Sequence, residues 1–329
     1  MESLSILHPL SSLEWSDCPK PLPIAVNDRV QAVLVPGDGD AKLYLSNERN
    51  ELRFCFVASN PLKWHHHNLP LKISSYSLTE FCSNLVLVGG YTENSVTDKV
   101  WTLNSKTDDW EVLPAPMPTK RFSAVAVGHG SYLVVAGGRK SAEDLTVVEV
   151  YDDHSKQWKT VQDLPRQFSK GLTSVLHDGI WYLMEKSKDD GDYRAVYRTS
   201  IEELISSPNA TSSPLWESLE SSTSRPPSGK VPPVSFSGQL LSIGKKYSSE
   251  QQLYLYCQPT DAWISIENIP SVENRSEVVC LAGLSRAELL LIYSDRTVKK
   301  LTLGGMYVQK LQLVYSYLDE SMHTSVIIM

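Results

Sequence analysis

What this chain lacks narrows its chemistry first. No apolar run approaches the ~18 residues that a membrane-crossing helix needs. The start, Met1-Glu2-Ser3, holds an acid and no base, and Pro9 follows soon after. That is a poor export signal, so a cytoplasmic location is expected, and the sequons at Asn209 and Asn274 read as chance. Cysteine is scarce: 5 in 329 residues, with neither CxxC nor CxxH. An odd count without paired spacing gives no disulfide framework, and buried free thiols are the expectation. Basic residues are in deficit, 31 Lys plus Arg against 38 Asp plus Glu, for a formal charge of −7. Generic binding to a nucleic-acid backbone needs a basic surface, so no nucleic-acid partner is expected. No phosphate loop occurs; Gly37-Asp-Gly39 is too short and flanks a hairpin. The remainder is ordinary for a folded globular chain, 41% hydrophobic and 21% charged.

What the chain does have is a repeat. Six tryptophans, Trp15, Trp64, Trp110, Trp158, Trp216 and Trp263, follow one another at intervals of 49, 46, 48, 58 and 47 residues. Most lead into a proline: Leu69-Pro70, Leu113-Pro114, Leu164-Pro165, Ile269-Pro270. Between them lie short β-prone runs separated by turns. In the third interval these are Phe122–Val127, Tyr132–Ala136, Val147–Tyr151 and a strand opening at Trp158. The run Tyr132–Ala136 is nearly all apolar, as a strand buried on both faces must be. Four short antiparallel strands per period of this length describe one blade of a propeller. Val57, Leu103, Tyr151 and Tyr256 each stand seven residues before a period tryptophan, a pairing that predicts a repeated contact between neighbouring blades.

The double glycines Gly89-Gly90 and Gly137-Gly138, the aromatic Tyr151 ahead of Trp158, and Leu164-Pro165 together resemble the kelch repeat, as does Trp110-Glu-Val-Leu-Pro with Lys120-Arg121-Phe122. The resemblance spans roughly residues 11–305 and is densest in the second and third periods. Elsewhere the double glycine gives way to Ser46-Asn47, Glu185-Lys186, Gly244-Lys245 and Tyr293-Ser294. It implies an all-β, six-bladed β-propeller over residues 1–305, monomeric, with a C-terminal extension over 306–329. Ring closure is expected from Ser12–Asp17 as the outer strand of the last blade; Tyr307–Tyr317 is the alternative. Ser200 is expected to cap a short helix, Ile201–Ser206, that decorates the fourth blade, a feature similar to some metazoan kelch chains.

Catalytic signals are weak. In the run His65–His67, alternation lets only His65 and His67 share a face, and a solvated outer strand accounts for it. His129 and His177 occupy corresponding turns and could approach one another. Copper radical oxidases of kelch-like fold need histidines near the axis, and no predicted innermost strand holds one. Asp28, Glu80 and Glu277 are scattered acids and make no acid/base pair. No cofactor and no catalysis are expected, the alternative being a sugar-modifying or metal-dependent oxidising enzyme.

Binding is better supported. In kelch rings the loops leading into the innermost strands, and those joining second to third strands, share one face around the axis. The first set holds Arg29, Tyr76, Arg121, Phe122, Lys170 and Arg275; the second holds Tyr91, Glu93, Arg139, Lys140, Lys188 and Tyr247. Arg and aromatic side chains dominate interface hot spots, and Arg pairs with carboxylates. The predicted contact set is Arg29, Tyr76, Tyr91, Arg121, Phe122, Arg139, Lys170, Tyr247 and Arg275. A basic, aromatic mouth on an acidic protein points to a protein or acidic peptide as partner, and so to a scaffold or adaptor. Kelch chains that serve ubiquitin ligases as substrate-recognition parts use another domain or subunit for the link. For Arg121 a second reading stands beside this one, a structural pin between blades.

Overall fold

Short runs rich in Val, Leu, Ile and Tyr, each cut by a turn, favour hairpins over helices. The computed structural model describes residues 13–18, 22, 24, 30–37, 40–47, 51–93, 95–104, 107–168, 171–187, 192–207, 215–229, 231–245, 250–258, 260–270, 276–285 and 287–303. These form six four-stranded antiparallel sheets. Blade I is Gln31–Val35, Lys42–Ser46, Leu52–Phe56 and His65–His67. Blade II is Ser77–Phe81, Asn84–Val88, Val100–Leu103 and Trp110–Val112. Blade III is Val125–His129, Tyr132–Ala136, Val148–Asp152 and Gln157–Thr160. Blade IV is Leu172–His177, Ile180–Lys186, Tyr193–Ser200 and Glu217–Ser218. Blade V is Val234–Phe236, Gln239–Gly244, Gln252–Cys257 and Ala262–Asn268. Blade VI is Val278–Gly283, Glu288–Tyr293, Val298–Leu303 and, from the other end of the chain, Leu13–Asp17.

Each innermost strand adjoins the innermost strand of the next blade, and that of blade VI adjoins that of blade I. The ring therefore closes. The closing strand pairs Leu13 with Leu303 and Asp17 with Lys299, as expected of Ser12–Asp17. An outer strand from the opposite terminus ties the chain ends together and covers the edge of Val298–Leu303.

The apolar residues gather in six clusters, one in each gap between blades. Blade III shows why its second strand reads as one apolar run. Leu133 and Val135 pack against blade II, while Val134 and Ala136 pack against blade IV. Outer strands touch solvent, as in His65–His67 and Trp110–Val112. Gly128 marks a close approach: a Cβ there would lie 2.2 Å from the Glu80 carbonyl oxygen in the neighbouring innermost strand. The helix Ile201–Ser206 follows the third strand of blade IV, with the Ser200 side chain accepting from the Glu203 N–H.

The tryptophans do more than the sequence suggests. Trp110, Trp158 and Trp263 lie in fourth strands, and Trp64 and Trp216 stand immediately before theirs. Tyr151 lies opposite Trp158 and Tyr256 opposite Trp263, with ring centroids 5.2 and 5.3 Å apart. Leu103 likewise faces Trp110. The seven-residue pair thus meets across a hairpin, because antiparallel register sets those positions opposite one another, and as expected it packs against the neighbouring blade: Tyr151 stands edge-on to Phe81 at 6.4 Å and Tyr256 to Tyr182 at 6.0 Å. In blade I the register differs, with Phe54 opposite His65, and Val57 and Trp64 join the cluster between blades VI and I. The indole N–H adds a polar contact between blades. Trp110 donates to Asn68 O at 2.8 Å, and Trp158, Trp216 and Trp263 donate to Ala115, Asp163 and Ser224 O, each at 3.0 Å. Every acceptor lies in the segment leaving the preceding blade.

Candidate functional site: the rim over blades II and III

The segments that lead into innermost strands meet those that follow second strands, on one side of the ring. In blade III, Phe122 and Arg139 exchange two backbone hydrogen bonds of 3.0 and 2.9 Å. The double glycine makes this contact feasible. Gly138 has φ +83°, and a Cβ on it would come within 2.7 Å of Phe122 O. Arg139-Lys140 then pairs with Glu143-Asp144 as a small projecting hairpin. In blade II the equivalent arm pairs Tyr91-Thr92 with Ile73-Ser74.

The arms touch through their aromatics. The Tyr91 ring stands edge-on to Phe122 with centroids 6.1 Å apart, and Tyr91 is 48% exposed. Arg139 Nε lies 2.7 Å from Asp144 Oδ1, and its Nη2 donates to Ala142 O at 3.1 Å. Lys140 is exposed. Glu93 pairs with Lys72 at 3.0 Å. Of the nine predicted contact residues, the structure thus brings Tyr91, Phe122 and Arg139 together. Arg29, Lys170, Tyr247 and Arg275 lie outside the described residues, as does Lys188.

Two others are corrected. Arg121 is 0% exposed. Its Nη1 donates to Gly137 O (3.0 Å) and Val147 O (2.9 Å), and its Nη2 lies 2.6 Å from Glu149 Oε2. Thr119 Oγ1 donates to the other Glu149 oxygen at 2.6 Å. Meanwhile the Arg121 main chain bonds Gly90 and Thr97 of blade II. Burial pulls the guanidinium pKa down while Glu149 holds it up. Arg121 is a pin between blades II and III, because a charge removed from water is held by the Glu149 carboxylate and backbone carbonyls and not left for a ligand. Tyr76 is buried too, its hydroxyl hydrogen-bonded to Ser46 Oγ in blade I. Burial raises its pKa, and the Ser46 bond opposes the rise. Ser46 occupies the place of a lost double glycine; at the corresponding site in blade IV, Glu185 pairs with Arg166. At these two positions a polar contact stands where the glycine is lost.

Sequence reasoning missed a second kind of clip. The Gln31 side-chain amide, at the start of blade I, donates to Tyr76 O (3.2 Å) and accepts from Leu78 N (2.9 Å) of blade II. Gln251 makes the same two-way contact with Val278, at 3.4 and 2.8 Å. Nothing in the spacing of these glutamines signals it.

The histidines are also resolved. His129 and His177 end innermost strands rather than sitting in turns, because each hairpin turns one residue later than expected. Each reaches the next blade, not the other: His129 Nε2 lies 3.8 Å from Glu202, and His177 Nδ1 lies 3.0 Å from Ser235 Oγ. His65 stacks on Phe54, with centroids 5.1 Å apart, and His67 bonds Asp108 O at 3.1 Å. Among the described residues no three His, Cys, Asp or Glu side chains gather to hold a metal. No helix among them is long and apolar enough to cross a membrane.

The kelch motif family matches residues 120–165, which run from the Arg121 pin through blade III to Leu164-Pro165. The ring is thus a six-bladed propeller of kelch type that carries a kelch motif in blade III. An F-box/kelch-repeat protein of Arabidopsis thaliana is 30% identical over 118 residues, 35% of this chain and 40% of that relative. The matched stretch thus spans well under two thirds of the relative's length. The solved structure of YjhT superimposes with a TM-score of 0.58, covering 86% of this kelch chain and 95% of that one at 14% identity. At that identity the likeness concerns the fold. A kelch ring of this kind fits a protein-interaction scaffold.

Proposed function

We propose that this kelch propeller is a non-catalytic adaptor that receives a partner segment on the rim over blades II and III. The observation that carries this reading is the exposed Tyr91 ring against Phe122, with the Arg139 guanidinium on the adjoining hairpin. Arg139 Nη1 makes no hydrogen bond or ion pair among the described residues, which leaves its N–H donors for a ligand carboxylate. An aromatic platform beside a partly free guanidinium suits an acidic peptide with an apolar residue next to its acid. The ring, residues 1–305, is proposed as the recognition part of a larger complex in the cytoplasm, consistent with the F-box named in the Arabidopsis relative. A monomeric ring and an appended 306–329 extension complete the reading.

Affinity capture with wild-type protein and with Tyr91→Ala and Arg139→Ala variants, followed by mass spectrometry, tests it. Partners retained by wild type and lost by both variants support the rim. Identical partner sets on all three proteins overturn it.

A further inference from the structure

The hairpin on the blade III rim carries a hydroxyl that the fold does not use. Lys140, Ser141, Ala142 and Glu143 are all exposed, and Ser141 turns the chain with φ +61°. The Ser141 hydroxyl makes no hydrogen bond among the described residues. Around it the charges are ordered. Arg139 and Lys140 precede it, and Glu143 and Asp144 follow at the second and third positions. The Arg139 guanidinium already folds over the tip, with Nη2 on Ala142 O at 3.1 Å and Nε on Asp144 at 2.7 Å.

We propose that Ser141 is a phosphorylation site, modified by a serine kinase that reads acidic residues on the C-terminal side, and that the phosphate closes the rim to its partner. In the step, Ser141 Oγ attacks the γ-phosphorus of ATP. The new O–P bond forms as the bond to the β-phosphate oxygen breaks, ADP leaves, and the hydroxyl proton passes to the kinase's base. The hairpin holds only two residue pairs and all of its tip is exposed, so it opens locally at little cost for the kinase to take it as an extended segment. Once added, the phosphate brings roughly −1.5 to −2 of charge and three acceptor oxygens next to Arg139 and Lys140. Arg139 is already turned toward this point, so its free Nη1 donors close on the phosphate instead of on a partner carboxylate. Remaining charge on the phosphate repels an acidic ligand. The control of binding rests on the rim reading above; the modification itself does not.

The test uses the full chain, an acidophilic serine/threonine kinase and Mg-ATP, read by site-resolved mass spectrometry and phosphorus NMR titration. Phosphate is expected at Ser141, absent from Ser141→Ala, and formed about tenfold more slowly in Asp144→Asn. The phosphate's second ionisation is expected at lower pH in wild type than in Arg139→Ala, since the guanidinium favours the dianion. A Ser141 left unmodified while other serines react overturns the site. Coincident titrations in wild type and Arg139→Ala overturn the internal contact. Affinity for a captured partner is expected to fall at least about tenfold on phosphorylation. A modified Ser141 with a shifted titration but unchanged affinity upholds the phosphosite and overturns its control of the rim.

Discussion

The indole N–H of Trp263, buried in blade V, donates to the Ser224 carbonyl 3.0 Å away in the segment leaving blade IV. The same bond recurs at three other blade junctions. Each tryptophan thus fills its own hairpin with its ring and ties down the previous blade with its one donor. Trp263→Phe keeps most of the packing and removes the donor, so it is expected to cost about 1 kcal/mol. Trp263→Ala also loses the ring and is expected to cost about 3–5 kcal/mol. Denaturant unfolding of both variants checks the split; equal losses would assign the whole effect to the lost donor, and an unchanged Trp263→Phe would assign it to packing.

Arg121→Ala leaves Glu149 buried without its cation. A loss of about 3–5 kcal/mol is expected, with the melting temperature lowered. Replacing both members, as Arg121→Met with Glu149→Gln, is expected to recover part of that. Thermal melting of the single and double variants measures the difference. Partner affinity measured on whatever Arg121→Ala protein remains folded is expected to be unchanged.

His177 supplies a pH dependence. Burial lowers its pKa, against an opposing pull from Asp178. The unfolded chain therefore binds the proton more readily than the folded one. The stability that depends on a neutral His177 is present above the unfolded value of ~6.5 and is lost as pH falls from there through the folded value. Melting temperatures across that range are expected to fall less steeply in His177→Gln. Parallel curves for the two proteins would remove His177 as the cause.

Removing residues 1–18 takes away the strand Leu13–Asp17 and bares the edge of Val298–Leu303. An unpaired edge in a closed ring invites pairing with other chains. The truncated protein is expected to aggregate, by light scattering, and to lose its cooperative melt. An unchanged melt would mean that this strand is dispensable.

Tyr91→Ala removes an exposed ring that the fold does not need. Its melting temperature is expected to stay within error of wild type while partner affinity falls by about 1–3 kcal/mol. Calorimetric titration and melting on the same sample separate the two. A lowered melt with intact binding would make Tyr91 a packing residue.

The blades were legible because their signals are local. Each hairpin needs its turn residues, and a strand buried on both faces must be apolar throughout, so Tyr132–Ala136 and the period of the tryptophans stand out without any knowledge of the neighbours. The need for a closing strand was legible by count, since three strands after Trp263 needed a fourth, but the count left Ser12–Asp17 and Tyr307–Tyr317 both open. The Ser200 cap was legible for the same local reason: the side chain and the N–H it accepts from are three residues apart.

The rim was only half legible, and the reason is range. Polarity and position near a turn place Tyr76, Arg121, Tyr91 and Arg139 in the same class. Which of them is free depends on what the adjacent blade brings up. Tyr76 meets Ser46 thirty residues away, and Arg121 meets Glu149 at twenty-eight, both inside seams that form only when the ring is assembled. The Tyr91 ring stands against the edge of Phe122 and stays about half open to solvent. The repeat, the strand order within each blade and the need for a fourth strand in the last blade follow from hairpin geometry and alternation and can be read from the residues alone; that Leu13–Asp17 supplies this strand shows only in its pairing with Val298–Leu303. Only the tertiary structure decided which polar side chains are spent as pins and which remain on the surface, because desolvation is a property of the assembled seam and not of any residue alone.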